Sequence, residues 1–420
     1  RGTMQRVIVG VDWGDERHAV FVIDQETGNR TRQQVEQTPE AIGEWVTSLR
    51  RKFPDTPVVV CMEQSRGALI YALMKYEFLT LVPVNPKQLA RFREVIGAAE
   101  AKDDPDDAEF LAELFAKHSE HLSAWKPDTQ ETRFLSLLSE DRRHLVDLRT
   151  ALTNQLRAQL KQYFPQALQL FEVIHSTLAC AVLERWPSLE DLQAATDEEI
   201  YQLFRDCRCY SQKQRQERLH IIRNAIPLTN DSAIRESRRL LVQSLVRQIK
   251  ELNESIREYD RRIEVAFHAH GDYEIFHSFP GAGAAMGPRL LAAFGSDRER
   301  FDDAAALQSL SGIAPVTRRS GKSRVVHRRW ACNKYKRQTF HEYAAQSIKY
   351  SAWARAYYVM MKQRTGRHHA AVRSLAFKWI RILYRCWKDQ RRYDEAVYLN
   401  SLRCRNSPIV RYLAADTPDV

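Results

Sequence analysis

The chain has 420 residues, 44% hydrophobic and 28% charged, with 64 Lys+Arg against 53 Asp+Glu, a net charge of +11 and a pI near 9.3. So much apolar material excludes a disordered or collagen-like chain and suits two or three domains, while the basic excess favours a polyanionic partner, nucleic acid ahead of membrane. Seven scattered cysteines argue against a disulfide framework, and with neither a signal core nor an apolar run of roughly 20 residues, an intracellular protein is expected.

Val7-Ile8-Val9-Gly10-Val11 reads as a buried strand, and His18 to Ile23 as its hairpin partner across the Gly14-Asp15 turn. A helix is predicted over Pro39 to Phe53, a second buried strand over Val58 to Met62, and a helix from about Arg66 to Glu77. The strand Leu79 to Val84 follows, closed by Pro83 and Pro86. Asp104 to Lys117 has helical periodicity through Phe110, Leu111, Leu114 and Phe115. Hairpin strands first and strand–helix alternation afterwards predict an α/β domain with a mixed sheet over 4–125.

From Thr129 to Phe164 a long helix carries Leu138, Leu145, Leu148, Leu152, Leu156 and Leu160 on one side. A second runs from about Ser232, the expected N-cap, to Ala269. Its Val242, Leu245, Ile249, Leu252, Ile256, Tyr259 and Ile263 are spaced three and four apart. Together they define a helical segment over 129–270, with an insert at about 168–227. It reads equally as an antiparallel coiled coil or as a plain bundle core. The remainder, 271–413, is predicted all-α apart from one polar basic loop. It opens on the turn Pro280-Gly281-Ala282-Gly283, followed by helices over Met286 to Phe294 and Ala304 to Ser311.

Four acids stand out by position. Asp12 ends the first strand and Glu63 follows Val58 to Met62, while Asp104 and Asp107 open a helix three residues apart, on one face. Carboxylates at neighbouring strand ends facing such a pair make an oxygen-only site suited to Mg²⁺. One or two such ions can activate an attacking oxygen and steady a leaving one at a phosphodiester. Each acid also has a plainer reading, as a turn former or a partner of the helix dipole, and their joint order carries the signal.

Between Ile313 and Arg337 stand nine cations and no acid: Arg318, Arg319, Lys322, Arg324, Arg328, Arg329, Lys334, Lys336 and Arg337. That density predicts phosphate contact and a steep salt dependence. Ser320, beside Gly321, reads either as a hydroxyl that attacks phosphorus or as a turn serine that only touches a phosphate, with Ser323 its local competitor. Amides of the Gly281–Gly283 hairpin can hold a backbone phosphate without reading sequence. Trp330, Tyr335, Tyr343, Trp353 and Tyr357 read as base-stacking surfaces or as core. Cys207-Arg208-Cys209 and His368-His369 lack a second ligand pair for zinc.

Taken in order, these residues resemble the insertion-sequence transposases of the IS110 family, bridge-RNA-guided serine recombinases related to the pilin-gene invertases. The Asp, Glu, Asp, Asp set of that family's RuvC-like (RNase H fold) domain is matched by Asp12, Glu63, Asp104 and Asp107. Its Lys-Thr-Asp-x-x-Asp-Ala stretch is matched by Lys102 to Ala108, with Asp103 in place of Thr. Pro280 to Gly283 (a helix-hairpin-helix-like opening), Ser311 to Pro315 and Ser320-Gly321 match its C-terminal transposase domain. The resemblance spans Met4 to about Asp389, and nothing functional is carried onto 168–227.

The resemblance implies that Ser320 forms a transient 5′-phosphoserine link and that the four carboxylates hold Mg²⁺. It implies a coiled coil that joins the domains and pairs protomers, with a homodimer assembling to a tetramer around a composite site. An element-encoded bridge RNA would select target and donor DNA, in the cytoplasm of a prokaryote at the nucleoid. Two other functions fit the same residues. One is an RNA-independent RuvC-like site-specific invertase or Holliday-junction resolvase that uses the carboxylates with water. The other is a non-catalytic nucleic-acid-binding protein, in which the acids cap helices and the basic stretch only grips phosphate.

Overall fold

Val7, Val9 and Val11 alternate with Ile8 and Gly10, so strand β1 (Val7–Asp12) has an apolar surface on both faces. The computed structural model, which describes residues 7–63, 67–96, 107–320, 323–327, 329 and 332–413, builds one sheet around it. The chain divides into two compact units, Arg1–Pro127 and Asp128–Val420.

In the first unit β1 pairs antiparallel with β2 (Arg17–Asp24), which pairs antiparallel with β3 (Arg30–Glu36). After α1 (Pro39–Lys52), β4 (Val58–Met62) lies parallel to β1, and after α2 (Ala68–Leu73), β5 (Leu79–Pro83) lies parallel to β4. Helices α3 (Pro86–Ile96) and α4 (Asp107–His118) follow. The sheet order is β3-β2-β1-β4-β5, the expected mixed α/β sheet. Val7, Val9, Val11, Val58 and Val60 pack on one face with Ile42, Trp45 and Leu73. Ile8, Val59 and Cys61 pack on the other with Leu89, Phe92 and Leu111.

Two elements go beyond the sequence reading. β3 is an edge strand whose polar Arg30-Thr31-Arg32-Gln33-Gln34 buries little except Val35, so it shows no apolar alternation. Helix α3 follows directly on the prolines that read as a strand stop, although Pro86 also suits the first turn of a helix.

The second unit is built on two long helices, α5 (Gln130–Tyr163), capped by Thr129, and α11 (Ser232–Ala269), between which fall the five short helices α6 (Ala167–Leu170), α7 (Thr177–Arg185), α8 (Leu189–Ala194), α9 (Asp197–Asp206) and α10 (Gln212–Asn224). The N-cap of α11 is Asp231, not Ser232: its carboxylate accepts from the amides of Ala233 and Ile234. α5 and α11 run antiparallel. Thr132 faces His270 at one end, Arg142 bonds Asp260, and Arg149 bonds Asn253 further along. At one end Leu156, Leu160, Val242, Leu245 and Ile249 join the core of the insert. At the other, Leu135, Leu138, Ile263 and Phe267 join the C-terminal core. Leu148, expected on the apolar seam, is 43% exposed, because it falls between the two cores.

The C-terminal part contains α12 (Tyr273–His277), α13 (Gly283–Phe294) and α14 (Ala304–Leu310). Then come β6 (Val316–Ser320) and β7 (Ser323–His327), and the helices α15 (Lys334–Tyr350), α16 (Ala352–Thr365), α17 (His368–Lys388), α18 (Glu395–Cys404) and α19 (Ile409–Leu413). The predicted basic loop is therefore an antiparallel hairpin. Trp353, Trp379 and Trp387 are fully buried, and each indole N–H has a partner: Tyr393 Oη, Ser347 Oγ and the Gly295 carbonyl. Tyr343, Trp353 and Tyr357 are core residues, which removes them as base-stacking surfaces, and Trp330 lies outside the described residues. Among the described residues no helix is long and apolar enough to cross a membrane.

Candidate active site

Strand register brings the first two acids together. Val11 sits opposite Met62 across the parallel β1–β4 pair, so Asp12 and Glu63 occupy the next rung at the carboxyl ends of adjacent strands. By the two-residue alternation Asp12 shares a face with Ile8 and Gly10, and Glu63 with Val59 and Cys61. That is the face covered by α3 and α4.

Gly10 lets α4 approach. A Cβ there would stand 1.8 Å from the Ala108 carbonyl oxygen, so the first turn of α4 rests directly on the β1 backbone. Asp107 opens that turn. Burial, then the neighbouring Asp107 carboxylate, push Glu63 above the usual carboxylate range. Arg93 opposes this, and Asp12 adds a smaller push. The Glu63 carboxyl thus feels the charge of acids from two other segments. Asp104 lies outside the described residues.

Arg93, on α3, was missed from sequence. One guanidinium nitrogen is 2.5 Å from Asp107 Oδ2 and 3.7 Å from Glu63 Oε1, and the group stands 6.0 Å over the Phe110 ring. The available signal was Pro86 followed by Leu89, Phe92 and Ile96 at helical spacing, which puts Arg93 near the helical face toward the sheet. His18 was also missed. It is buried in β2, and its Nδ1 accepts from the Gly14 amide at 3.3 Å, which leaves Nε2 to donate to Gln37 Oε1 at 2.5 Å. This fixes the turn just after Asp12.

Oxygen-only donors gathered at two strand ends and a helix start match a hard divalent cation in chemistry. Among the described residues no three His, Cys, Asp or Glu side chains close tightly enough to hold an ion. Instead, Arg93 bridges two of the acids.

In the second unit, Ser320 ends β6 and pairs in register with Ser323 of β7. Arg318 and Arg319 lie on β6 and Arg324 on β7. Gly321, Lys322 and Arg328 lie outside the described residues. The remaining cations differ in situation. Lys334 is exposed at the start of α15, and Arg329 is half-buried. Lys336 donates to the Ala293 carbonyl, and Arg337 reaches Cys332 Sγ at 3.4 Å. Gly281, in the turn between α12 and α13, takes φ +76°, and Gly283, the first residue of α13, takes φ +48°. A side chain on Gly281 would meet the Tyr350 ring at 2.8 Å.

Comparisons with known proteins match both regions. Residues 9–165 match a DEDD transposase family model described as "Transposase", and residues 273–359 match "Transposase IS116/IS110/IS902 family". Over 398 residues the chain is 29% identical to the "Mini-circle putative transposase for IS117" of Streptomyces coelicolor, covering 93% of this chain and 95% of that one. It is 24% identical over 399 residues to the "Insertion element IS900 uncharacterized 42 kDa protein" of Mycobacterium paratuberculosis, covering 93% and 98%. It is 25% identical over 358 residues to the "Insertion element IS110 uncharacterized 43.6 kDa protein" of Streptomyces coelicolor, covering 82% and 85%.

Proposed function

The chain belongs to the IS110 family of insertion-sequence transposases, and from that premise we propose that it cuts and rejoins DNA through a phosphoserine intermediate at Ser320, guided by a bridge RNA. It is a DNA transposase of an insertion element, so the reading as a catalytically silent binding protein falls away. The observation that carries the proposal is the convergence of Asp12, Glu63 and Asp107 on one face of an RNase H-like sheet, within the stretch matched by the DEDD family.

The family implies a divalent metal, for which Mg²⁺ is the proposed identity, held by Asp12, Glu63, Asp107 and Asp104. When bound, it supplies charge neutralisation at the scissile phosphate. The Ser320 hydroxyl oxygen attacks phosphorus, and the bond from phosphorus to the 3′ oxygen breaks. A 5′-phosphoserine link forms, and the serine proton passes to the departing 3′ oxygen, which leaves as a free 3′-hydroxyl. A 3′-hydroxyl from another strand then attacks the link and restores the serine. Arg318, Arg319 and Arg324 on the hairpin neutralise phosphate charge, together with Lys322, Arg328, Arg329, Lys334, Lys336 and Arg337 of the same basic stretch. Gly281 and Gly283 free the first amides of α13 for a backbone phosphate, in the manner of a helix-hairpin-helix turn.

The antiparallel pair α5–α11 is the proposed coiled coil through which protomers form a dimer and then a tetramer. Phe134, Leu137 and Val265 leave apolar surface exposed on it. The test is trapping of covalent protein–DNA adducts. Wild-type protein is expected to form them and Ser320→Ala to form none; adducts from Ser320→Ala would refute the nucleophile. Sequencing the RNA that co-purifies with the protein tests the guide, and strand exchange on defined duplexes without RNA would support the invertase or resolvase reading.

A further inference from the structure

We propose that a basic groove between α17 and α18, distant in sequence from the hairpin, is a second binding site for the phosphodiester backbone of a nucleic acid. The groove encloses about 770 Å³ and is lined by Lys378, Arg381, Arg385, Arg391, Arg392 and Arg405 against two acids among the described residues, Asp389 and Asp394. Both acids are already engaged. Asp389 pairs with Arg385 at 2.6 Å, and Asp394 caps α18 by accepting from the amides of Ala396 and Val397. Arg392 pairs with Glu274 at the rim. Lys378, Arg381, Arg391 and Arg405 have no carboxylate partner among the described residues.

Cations in the last turn of a helix are ordinary partners of its dipole, which accounts for Arg385 and Lys388. It does not account for Lys378 and Arg381, which lie upstream of the last turn, beyond the reach of that effect. They share one face with Arg385 and converge with Arg405 from the far end of α18. Lys378 is half-buried 4.9 Å over the Tyr357 ring, and burial followed by the charges of Arg381 and Arg405 lowers its pKa. Such crowding of like charge is relieved by a polyanion. The aromatic walls are not free to stack on bases: Tyr393 accepts from Trp353 and lies on Phe279, and Tyr398 packs against Trp353. The site therefore suits backbone charge rather than base identity.

This goes beyond the reading above and depends on neither Ser320 nor a metal. Binding of the full chain to labelled duplex DNA and to single-stranded RNA is measured by fluorescence anisotropy across a salt series. Arg381→Gln/Arg405→Gln, both at exposed positions, is expected to weaken binding on the order of tenfold and to flatten the log–log salt slope by about 2. Loss on DNA alone, on RNA alone or on both supports the site and identifies its occupant. A photo-crosslinking amino acid in place of Val397, which lines the groove at 66% exposure, should label the same strand. Unchanged affinity on both ligands, a loss no larger than that of the exposed control pair Arg51→Gln/Lys75→Gln, or no adduct with either ligand would overturn the proposal.

Discussion

The guanidinium of Arg93 lies between Glu63 and Asp107, so two of the candidate ligands share a cation supplied by the chain itself. A divalent ion entering that cluster must displace this charge or work against it. Arg93 is partly solvent-exposed, so screening limits its influence to about 1 kcal/mol, roughly a fivefold effect on an equilibrium. Arg93→Gln is therefore expected to bind Mn²⁺ about fivefold more tightly, read by titration calorimetry on protein without DNA. Weaker or unchanged binding would mean that Arg93 organises the acids instead of competing for them. All three identities were legible in the sequence, yet only the acids were found, Glu63 because it follows an apolar strand and Asp107 because it opens a helix. Arg93 sits among other exposed cations of α3 and gains meaning only from the two oxygens that it touches.

At the scale of elements, the α5–α11 pair is closed at one end by His270. Its Nδ1 accepts from the Asp272 amide at 3.0 Å, which leaves Nε2 to donate to Thr132 Oγ1 at 2.8 Å. Burial lowers its pKa, with the nearby acids Asp272 and Glu131 opposing. The unfolded chain then takes up the proton more readily than the folded one. Stability is retained above the ordinary histidine value near 6.5 and is lost as pH falls through it. Between pH 7.5 and 5.5 the melting temperature of wild type should fall further than that of His270→Asn, which keeps an acceptor toward the amide. Equal falls in both proteins would remove His270 from the account. The helices themselves were plain from their periodicity, and Thr129 and Phe164 bound α5 as read from sequence. Their antiparallel pairing was one of two open readings, because a heptad seam is equally at home in a bundle. Two separate cores at the ends, not one continuous seam, explain why Leu148 is left at the surface.

Across the whole molecule, the apolar side chains left exposed on the helix pair bear on assembly. If protomers associate there, Phe134→Asp/Val265→Asp should shift the mass measured by light scattering from dimer to monomer while leaving the melting temperature close to wild type, since both side chains are already exposed. A variant that stays dimeric places the interface elsewhere. The sequence by itself determined the broad division into a mixed α/β part and a helical remainder, the long helices, and the order of candidate acids and serine on which the resemblance was drawn. These are local or ordinal properties, carried by apolar periodicity and by residues fixed along the chain. The tertiary structure decided what depends on distant segments meeting. β1–β4 register set Asp12 beside Glu63, Gly10 let α4 bring Asp107 to them, and Arg93 arrived from a helix that the prolines had concealed. It also folded the basic loop into a hairpin and left four cations of the α17–α18 groove with no carboxylate partner among the described residues. Charge balance and shared faces are set by neighbours in space, and sequence separation does not encode them.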